Sequence, residues 1–219
     1  MAQRKSGYER KARDLYETPE WVSQVIVPHI PEDAIIWEPA CASGKMAEVI
    51  NAMHMSDLVT NYGDNGVNFL ETTPSDYPFA TAIVTNPPFN REAERFIRHS
   101  LALMRPRRGF VAMLLPVDFD SAKTRADMFG YCPAFAKKIV LTKRIVWFER
   151  DDGTDNPSAN HAWFVWDFKK PPSKKPEIWY HRELDADLKR RPGESEDERN
   201  IRIIAKGLSK NPTLRKRKT

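Results

Sequence analysis

The chain has 219 residues, enough for one globular domain with a sizeable core, and 41% apolar against 30% charged residues is the balance of a folded, soluble protein. No apolar run approaches the ~20 residues of a membrane span, no signal peptide opens the sequence, and Cys41 and Cys132 make neither a disulfide framework nor a CxxC metal spacing. The five scattered histidines offer no metal site, so a reduced, cytosolic, metal-free protein is expected. The net charge of +5 is unevenly placed: residues 1–13 carry +4, residues 200–219 carry +7, and the body between carries −6. Attraction to a polyanion would come from the ends, although solubility alone also accounts for such tails.

In chain order, a basic arm (1–15) leads into TPEWVSQVIVPHI, which reads as a helix. Thr18 is its expected N-cap and Pro19 its first residue, with Trp21/Val25 and Val22/Ile26 paired at i,i+4. Pro28 and Pro31 end it. AIIW (34–37) is a short strand that breaks into a small-residue turn, followed by a helix over about 45–54. A second strand is placed at 57–60 and a buried third at 81–85. Asn90 caps the next helix, whose apolar face is Phe96, Ile97, Leu101 and Met104. GFVAMLLP (109–116) has the continuous apolar character of a strand covered on both faces. KKIVLTKRIVWF and HAWFVWDF, joined by a polar loop, read as an antiparallel hairpin at the sheet edge. KKPPSKKP opens a Pro/Lys-rich linker and basic extension (171–219). The alternation indicates an α/β fold over 16–170: a doubly wound, Rossmann-like sheet, mostly parallel with an antiparallel edge hairpin. Ligands of such sheets bind beyond the carboxyl ends of the strands, where two motifs fall.

The first is Glu38-Pro39-Ala40-Cys41-Ala42-Ser43-Gly44, between a strand and a helix. Small residues let the backbone approach a ligand, and the strand-end acid can accept hydrogen bonds from a cationic or hydroxylated one. The second is Asn86-Pro87-Pro88-Phe89, also at a strand end. Consecutive prolines remove two donors and hold the chain extended, projecting carbonyl oxygens and the Asn86 amide. An exocyclic aromatic amine is a poor nucleophile because its lone pair is delocalised into the ring. Accepting both of its N–H groups, one at the Asn86 side-chain oxygen and one at the Pro87 carbonyl, draws the nitrogen toward tetrahedral geometry. Phe89 can stack on the ring face.

YETPEWV, WEPACASGKMAEV, VTNPPFNREAERFIRHSL and AWFVWDF together resemble the short adenine-N6 DNA methyltransferases of phages and prophages. The resemblance implies a class I methyltransferase sheet, S-adenosyl-L-methionine as cofactor, and double-stranded DNA as partner, with the target adenine flipped from the stack. It assigns cofactor contacts to Glu38, Pro39, Ala40 and Gly44, and to the Thr18-Pro19 segment that closes over the methionine end. Asn61, Tyr62, Asn68 and Phe69 line the rest of the cofactor pocket, together with Asn86. Asn86, Pro87, Pro88 and Phe89 form the catalytic motif.

The sequence departs from that pattern at three positions. Ala42 stands where glycine is usual, a change that costs ~1–2 kcal/mol if its φ is positive. Asn61 and Asn68 stand where acids usually receive the ribose hydroxyls and the adenine amine, which would weaken cofactor binding unless Asp57 or Asp64 takes over. Methylation of guanine amines in ribosomal RNA, methylation of a glutamine amide in protein, and a non-catalytic DNA-binding relative are the alternatives. The short span between Gly44 and Asn86 admits no recognition domain, so target reading falls to loops 117–136 and 149–161. Lys123, Arg125, Lys143 and Arg144 are the candidates for phosphate contacts.

Overall fold

The computed structural model describes residues 17–59, 62–89, 91–147, 159–172, 174–181, 193–195, 197–199 and 201. The chain divides into two compact units, Met1–Tyr180 and His181–Thr219. In the second, Ser195 begins a helical turn whose Glu198 carboxylate accepts from the Ser195 N–H and hydroxyl, both at 2.8 Å. The candidate motifs lie in the first.

Helix α1 (Glu20–Ile26) buries Val22, Ser23 and Ile26, and a 3₁₀ turn at Val27–His29, with Pro28 inside it, ends it as expected. Its start lies one residue later than predicted. Pro19, not Thr18, occupies the N-cap position with an extended ψ of 145°, and its carbonyl accepts the first N–H bonds from Val22 and Ser23. The Thr18 side chain is thereby released for another contact.

The sheet comprises β1 (Ile36–Glu38), β2 (His54–Asp57), β3 (Asp64–Asn65), β4 (Ala82–Thr85), β5 (Phe110–Pro116), β6 (Phe135–Val140), β7 (His161–Asp167) and β8 (Glu177–Tyr180). Their spatial order is β3-β2-β1-β4-β5-β7-β6-β8. β7 runs antiparallel to both β5 and β6, and every other pairing is parallel. The antiparallel pair expected near one side of the sheet is therefore present. β8, from the stretch read as a linker, adds a further parallel strand outside β6. The Trp179 ring of β8 packs edge-on against His29 at 5.3 Å.

Two layers cover the sheet, and strand alternation decides which residues face each. Ile36, Ala82, Val84, Ala112, Leu114, Trp163 and Val165 face one side, against Val22 and Ile26 of α1 and Met46 of α2 (Lys45–Val49). Trp37, Ile83, Val111, Met113, Phe164 and Trp166 face the other, against Phe96, Ile97 and Met104 of α3 (Arg91–Met104). The buried tryptophan N–H groups find oxygen partners: Trp37 on Ser56, Trp163 on the Val22 carbonyl, and Trp166 on the Met128 carbonyl.

Three predicted boundaries shift. The second strand ends at Asp57 rather than starting there. α2 stops at Val49 because the chain turns through Asn51 at φ +53°. β6 leaves the sheet after Val140, so residues 141–147 form a loop rather than strand. The expected cap Asn90 lies outside the described residues. Because β1, β2, β4 and β5 are parallel, their carboxyl ends converge at one end of the sheet. Pro116 there pairs with His161, the first residue of β7. Among the described residues no helix is long and apolar enough to cross a membrane.

Candidate active site

β1 delivers Glu38 to this end of the sheet, where it is only 2% exposed and its Oε2 has no hydrogen-bond partner. Burial, with a contribution from the nearby Asp57 carboxylate, raises the Glu38 carboxyl well above its usual range. The turn that follows is wrapped around Asp57. Its Oδ2 accepts from the Ala42 N–H at 3.0 Å and its Oδ1 from the Val59 N–H at 2.9 Å. Ala42 has φ +49°, so the position usually held by glycine is left-handed here and the alanine is strained. Gly44, at φ +83°, starts α2, and a β-carbon there would stand 2.8 Å from Cδ1 of Tyr62, whose ring lies over the turn. Pro39 and Gly44 are buried, and Ala40 is half-buried against the core.

β2 ends on an acid, Asp57. Asp57 closes that strand, beside the Glu38 turn on the neighbouring strand, and it is buried. Placing the strand at 57–60 shifted the expected acid onto Asn61, which lies outside the described residues. The better signal was the SDL triplet, an acid at the end of a short run. Asn68 also departs from its expected role. Its Oδ1 accepts from the Leu70 N–H at 3.2 Å and its Nδ2 donates to Glu71 at 2.7 Å, so its amide caps the 3₁₀ turn Phe69–Glu71. Phe69 is 2% exposed with Trp37, Phe96 and His99 around its ring, which leaves that ring no face for a ligand. Asp64 accepts from the Tyr77 hydroxyl at 2.9 Å. Burial, helped by that bond, pushes the Tyr77 phenol up to about 12.

The second loop leaves β4 at Thr85. Asn86 donates from Nδ2 to Oγ1 of Thr18 at 3.2 Å, while its Oδ1 is buried without a partner. Pro87 is buried, Pro88 exposed and Phe89 half-buried. The Phe89 ring meets Trp147 edge-on at 5.8 Å, and Trp147 meets His161 in the same way at 5.4 Å. Trp147 and His161 therefore belong to this end of the site, although the sequence reading assigned both to strands with no functional role. Burial lowers the His161 imidazole below its usual range.

Thr18, 6% exposed, meets the second loop through Asn86. Beside it, Glu17 pairs with Lys45, the first residue of α2; Lys45 and the Ser43 hydroxyl hold the Glu17 carboxyl below its usual value. The segment 17–19 thus reaches the small-residue turn and the proline loop together.

The four candidate phosphate contacts separate. Arg125 is committed internally: its guanidinium lies 3.8 Å over the Phe119 ring, donates to the Phe119 carbonyl at 3.0 Å and pairs with Glu94 at 3.4 Å. Arg125 is thus the one of the four whose guanidinium is spent on internal partners in this structure. Lys123 is exposed in its 3₁₀ turn. Lys143 is exposed with its ammonium 5.5 Å over the Trp21 ring, and the exposed Arg144 donates to Asn160 at 3.1 Å, beside the start of β7. No group of three or more potential metal ligands occurs among the described residues.

No protein-family profile and no curated protein matches the chain by sequence. Solved structures do match by fold. A putative class I S-adenosylmethionine-dependent methyltransferase from Listeria monocytogenes superposes with a TM-score of 0.51 at 12% identity, over 87% of this chain and 69% of that one. The M protein of the type I restriction enzyme EcoKI superposes with a TM-score of 0.50 at 12% identity, over 85% of this chain and 51% of that one. The chain also covers 52% of a modification subunit of a putative type I restriction enzyme from Vibrio vulnificus. It thus spans about half the length of these two restriction–modification subunits. The fold is that of the class I methyltransferases: a mixed α/β domain on an eight-stranded, mostly parallel sheet.

Proposed function

We propose that the protein is an S-adenosylmethionine-dependent methyltransferase acting on the exocyclic amino group of adenine in DNA. The observation that carries this reading is the Asn86 Oδ1, a buried acceptor with no partner, in an Asn-Pro-Pro-Phe loop at the carboxyl end of a central strand. Leaving such an atom unpaired costs ~1–3 kcal/mol, which a bound amine would recover.

The residues around the first turn suit the cofactor. Glu38 keeps an unpartnered oxygen, the backbone at Ala42–Gly44 lies close and without bulk, and Asp57 has lone pairs beyond the two backbone bonds it accepts. Glu38, Asp57 and the turn 39–44 would hold the molecule, with Tyr62 beside them. S-adenosylmethionine, when bound, supplies an electrophilic methyl group on a sulfonium. Asn86 Oδ1 and the Pro87 carbonyl would accept the two N–H groups of the base, and Phe89 would present a ring face to it. Holding the amine in line with the methyl group is most of what the protein must contribute. A strand-end acid at Asp57, if it receives the ribose, weighs against the non-catalytic alternative.

The test is direct. The full chain is incubated with methyl-labelled cofactor and DNA, the DNA is digested, and the labelled nucleoside is identified. Label in N6-methyl-2′-deoxyadenosine supports the reading. Label confined to a cytosine product, or, in parallel incubations with ribosomal RNA and with protein, label found only there, would replace it with that substrate, and failure to bind the cofactor would remove the enzyme reading.

A further inference from the structure

An asparagine side chain can present either its oxygen or its nitrogen to a ligand, and the two orientations fill nearly the same space. For Asn86 only one of them is useful to an amine donor, because Nδ2 facing an N–H would be repulsive. What holds the amide in the useful orientation must be an acceptor on its other side. Thr18 Oγ1 stands there, 3.2 Å from Nδ2, on a residue 6% exposed, while Oδ1 is left unpaired in the buried site.

We infer that Thr18 is a positioning residue for Asn86: its hydroxyl oxygen takes up the amide NH₂ and so fixes the side-chain oxygen as the acceptor for a substrate amine. This inference rests on the reading of Asn86 as the acceptor for the reacting amine. It assigns Thr18 a function different from the cofactor contact that the sequence suggested. The geometry supports the change: Pro19, one residue later, takes the N-cap position of α1, so the Thr18 hydroxyl is not consumed by the helix terminus. Glu17 anchors the same segment to Lys45 at the start of α2, which holds the hydroxyl over the loop. Without the Thr18 hydroxyl, Nδ2 loses its partner, and the amide gains by turning that nitrogen toward whatever acceptor the site offers.

Thr18→Val keeps the shape and removes the acceptor, and Thr18→Ser restores it. Turnover is measured with saturating DNA and cofactor, and cofactor affinity by titration calorimetry. Thr18→Val is expected to lower kcat roughly 10- to 100-fold while the cofactor Kd stays within about threefold of the unmodified chain. Thr18→Ser should recover most of the rate. A structural or cofactor-binding role would instead move Kd or the melting temperature in step with kcat, and that result overturns the inference. So does an unchanged kcat in Thr18→Val.

An independent readout needs no turnover. The side-chain NH₂ resonance of Asn86, identified by its loss in Asn86→Ala, should show one hydrogen-bonded, slowly exchanging proton in the unmodified chain and lose it in Thr18→Val. If the resonance is already that of a solvated amide, the inference fails whatever the activity. If the resonance responds as expected but no amine is methylated, the proposed reaction fails and the orientation by Thr18 stands.

Discussion

The turn after β1 and the loop after β4 stand at the same end of the sheet, and their backbones are built in opposite ways. The first passes through two left-handed residues, Ala42 at φ +49° and Gly44 at +83°, and is pinned by a carboxylate from the neighbouring strand. The second has no positive φ among its described residues 86–89 and is stiffened by Pro87 and Pro88. A turn that must fold closely around a ligand needs unusual dihedral angles and a partner to stabilise them. A loop that must hold one oxygen in one place needs few accessible states instead, and proline limits those at no cost in strain. Substitutions should therefore separate by loop: those after β4 alter rate, and those after β1 alter cofactor affinity and stability.

The largest expected effect tests the rate side. Asn86→Ala removes an interaction strongest in the transition state, so kcat should fall at least ~100-fold, with folding and cofactor Kd nearly unchanged. Retention of more than about a tenth of the rate would show that the amide is not the essential acceptor.

On the other loop, Asp57→Asn should weaken cofactor binding by about 5- to 10-fold and also lower the melting temperature. One end of the new amide would turn an N–H group toward the Ala42 or Val59 N–H, each now within 3.0 Å of a carboxylate oxygen. Asn68→Asp, by contrast, should not tighten the cofactor. It replaces a donor 2.7 Å from the Glu71 carboxylate with a like charge, so only a local loss of stability is expected. Calorimetry on both variants decides; tighter binding by Asn68→Asp would return that residue to the cofactor pocket.

The pH dependence of the ligand-free chain isolates Glu38. With its folded pKa above the ordinary 4.5, the folded chain keeps a proton that the unfolded chain releases. The contribution of this group to stability is thus complete below about 4.5 and declines as pH rises toward the raised value. Glu38→Gln has no such decline. Melting curves of the two chains should agree in acid and separate toward neutral pH, the variant melting higher. A constant offset at every pH would mean that Glu38 ionises in the fold as freely as in the unfolded chain.

The sheet and the identity of both loops were legible because they depend on local pattern. β4 and β5 are uniformly apolar, and a small-residue turn and a Pro-Pro pair are signals confined to a few residues. What sequence reading missed depends on contacts between distant segments. β2 lies three residues earlier than read, ending rather than starting at Asp57, since HMSD has a single apolar residue and DLVT has the stronger β character. Arg125 read as a surface cation because nothing nearby in sequence shows that Phe119 and Glu94 will surround it. β8 was hidden by its exposure: Ile178 and Tyr180 are 64% and 63% exposed, so no burial pattern marks it. Thr18 read as a helix cap and a cofactor contact, and its approach to Asn86, 68 positions away, is not visible in the sequence.

The smallest expected effect bears most closely on how the first turn is held. Ala42→Gly should remove the left-handed penalty of ~1–2 kcal/mol, while glycine adds ~0.5–1 kcal/mol of unfolded-chain entropy. The difference leaves up to ~1.5 kcal/mol of stabilisation, a rise of a few degrees in melting temperature for a chain of this size. The gain requires that the turn keep its shape, and the Ala42 N–H bond to Asp57 is what enforces it. In an Asp57→Asn background that tether is weakened, so the alanine can relax and the glycine should stabilise less. Measuring Ala42→Gly in both backgrounds therefore reads out the tether itself. Equal gains in the two would mean that the rest of the turn, Gly44 and the overlying Tyr62 included, imposes the strain without Asp57, and the proposed division of labour between the acid and the turn would be wrong.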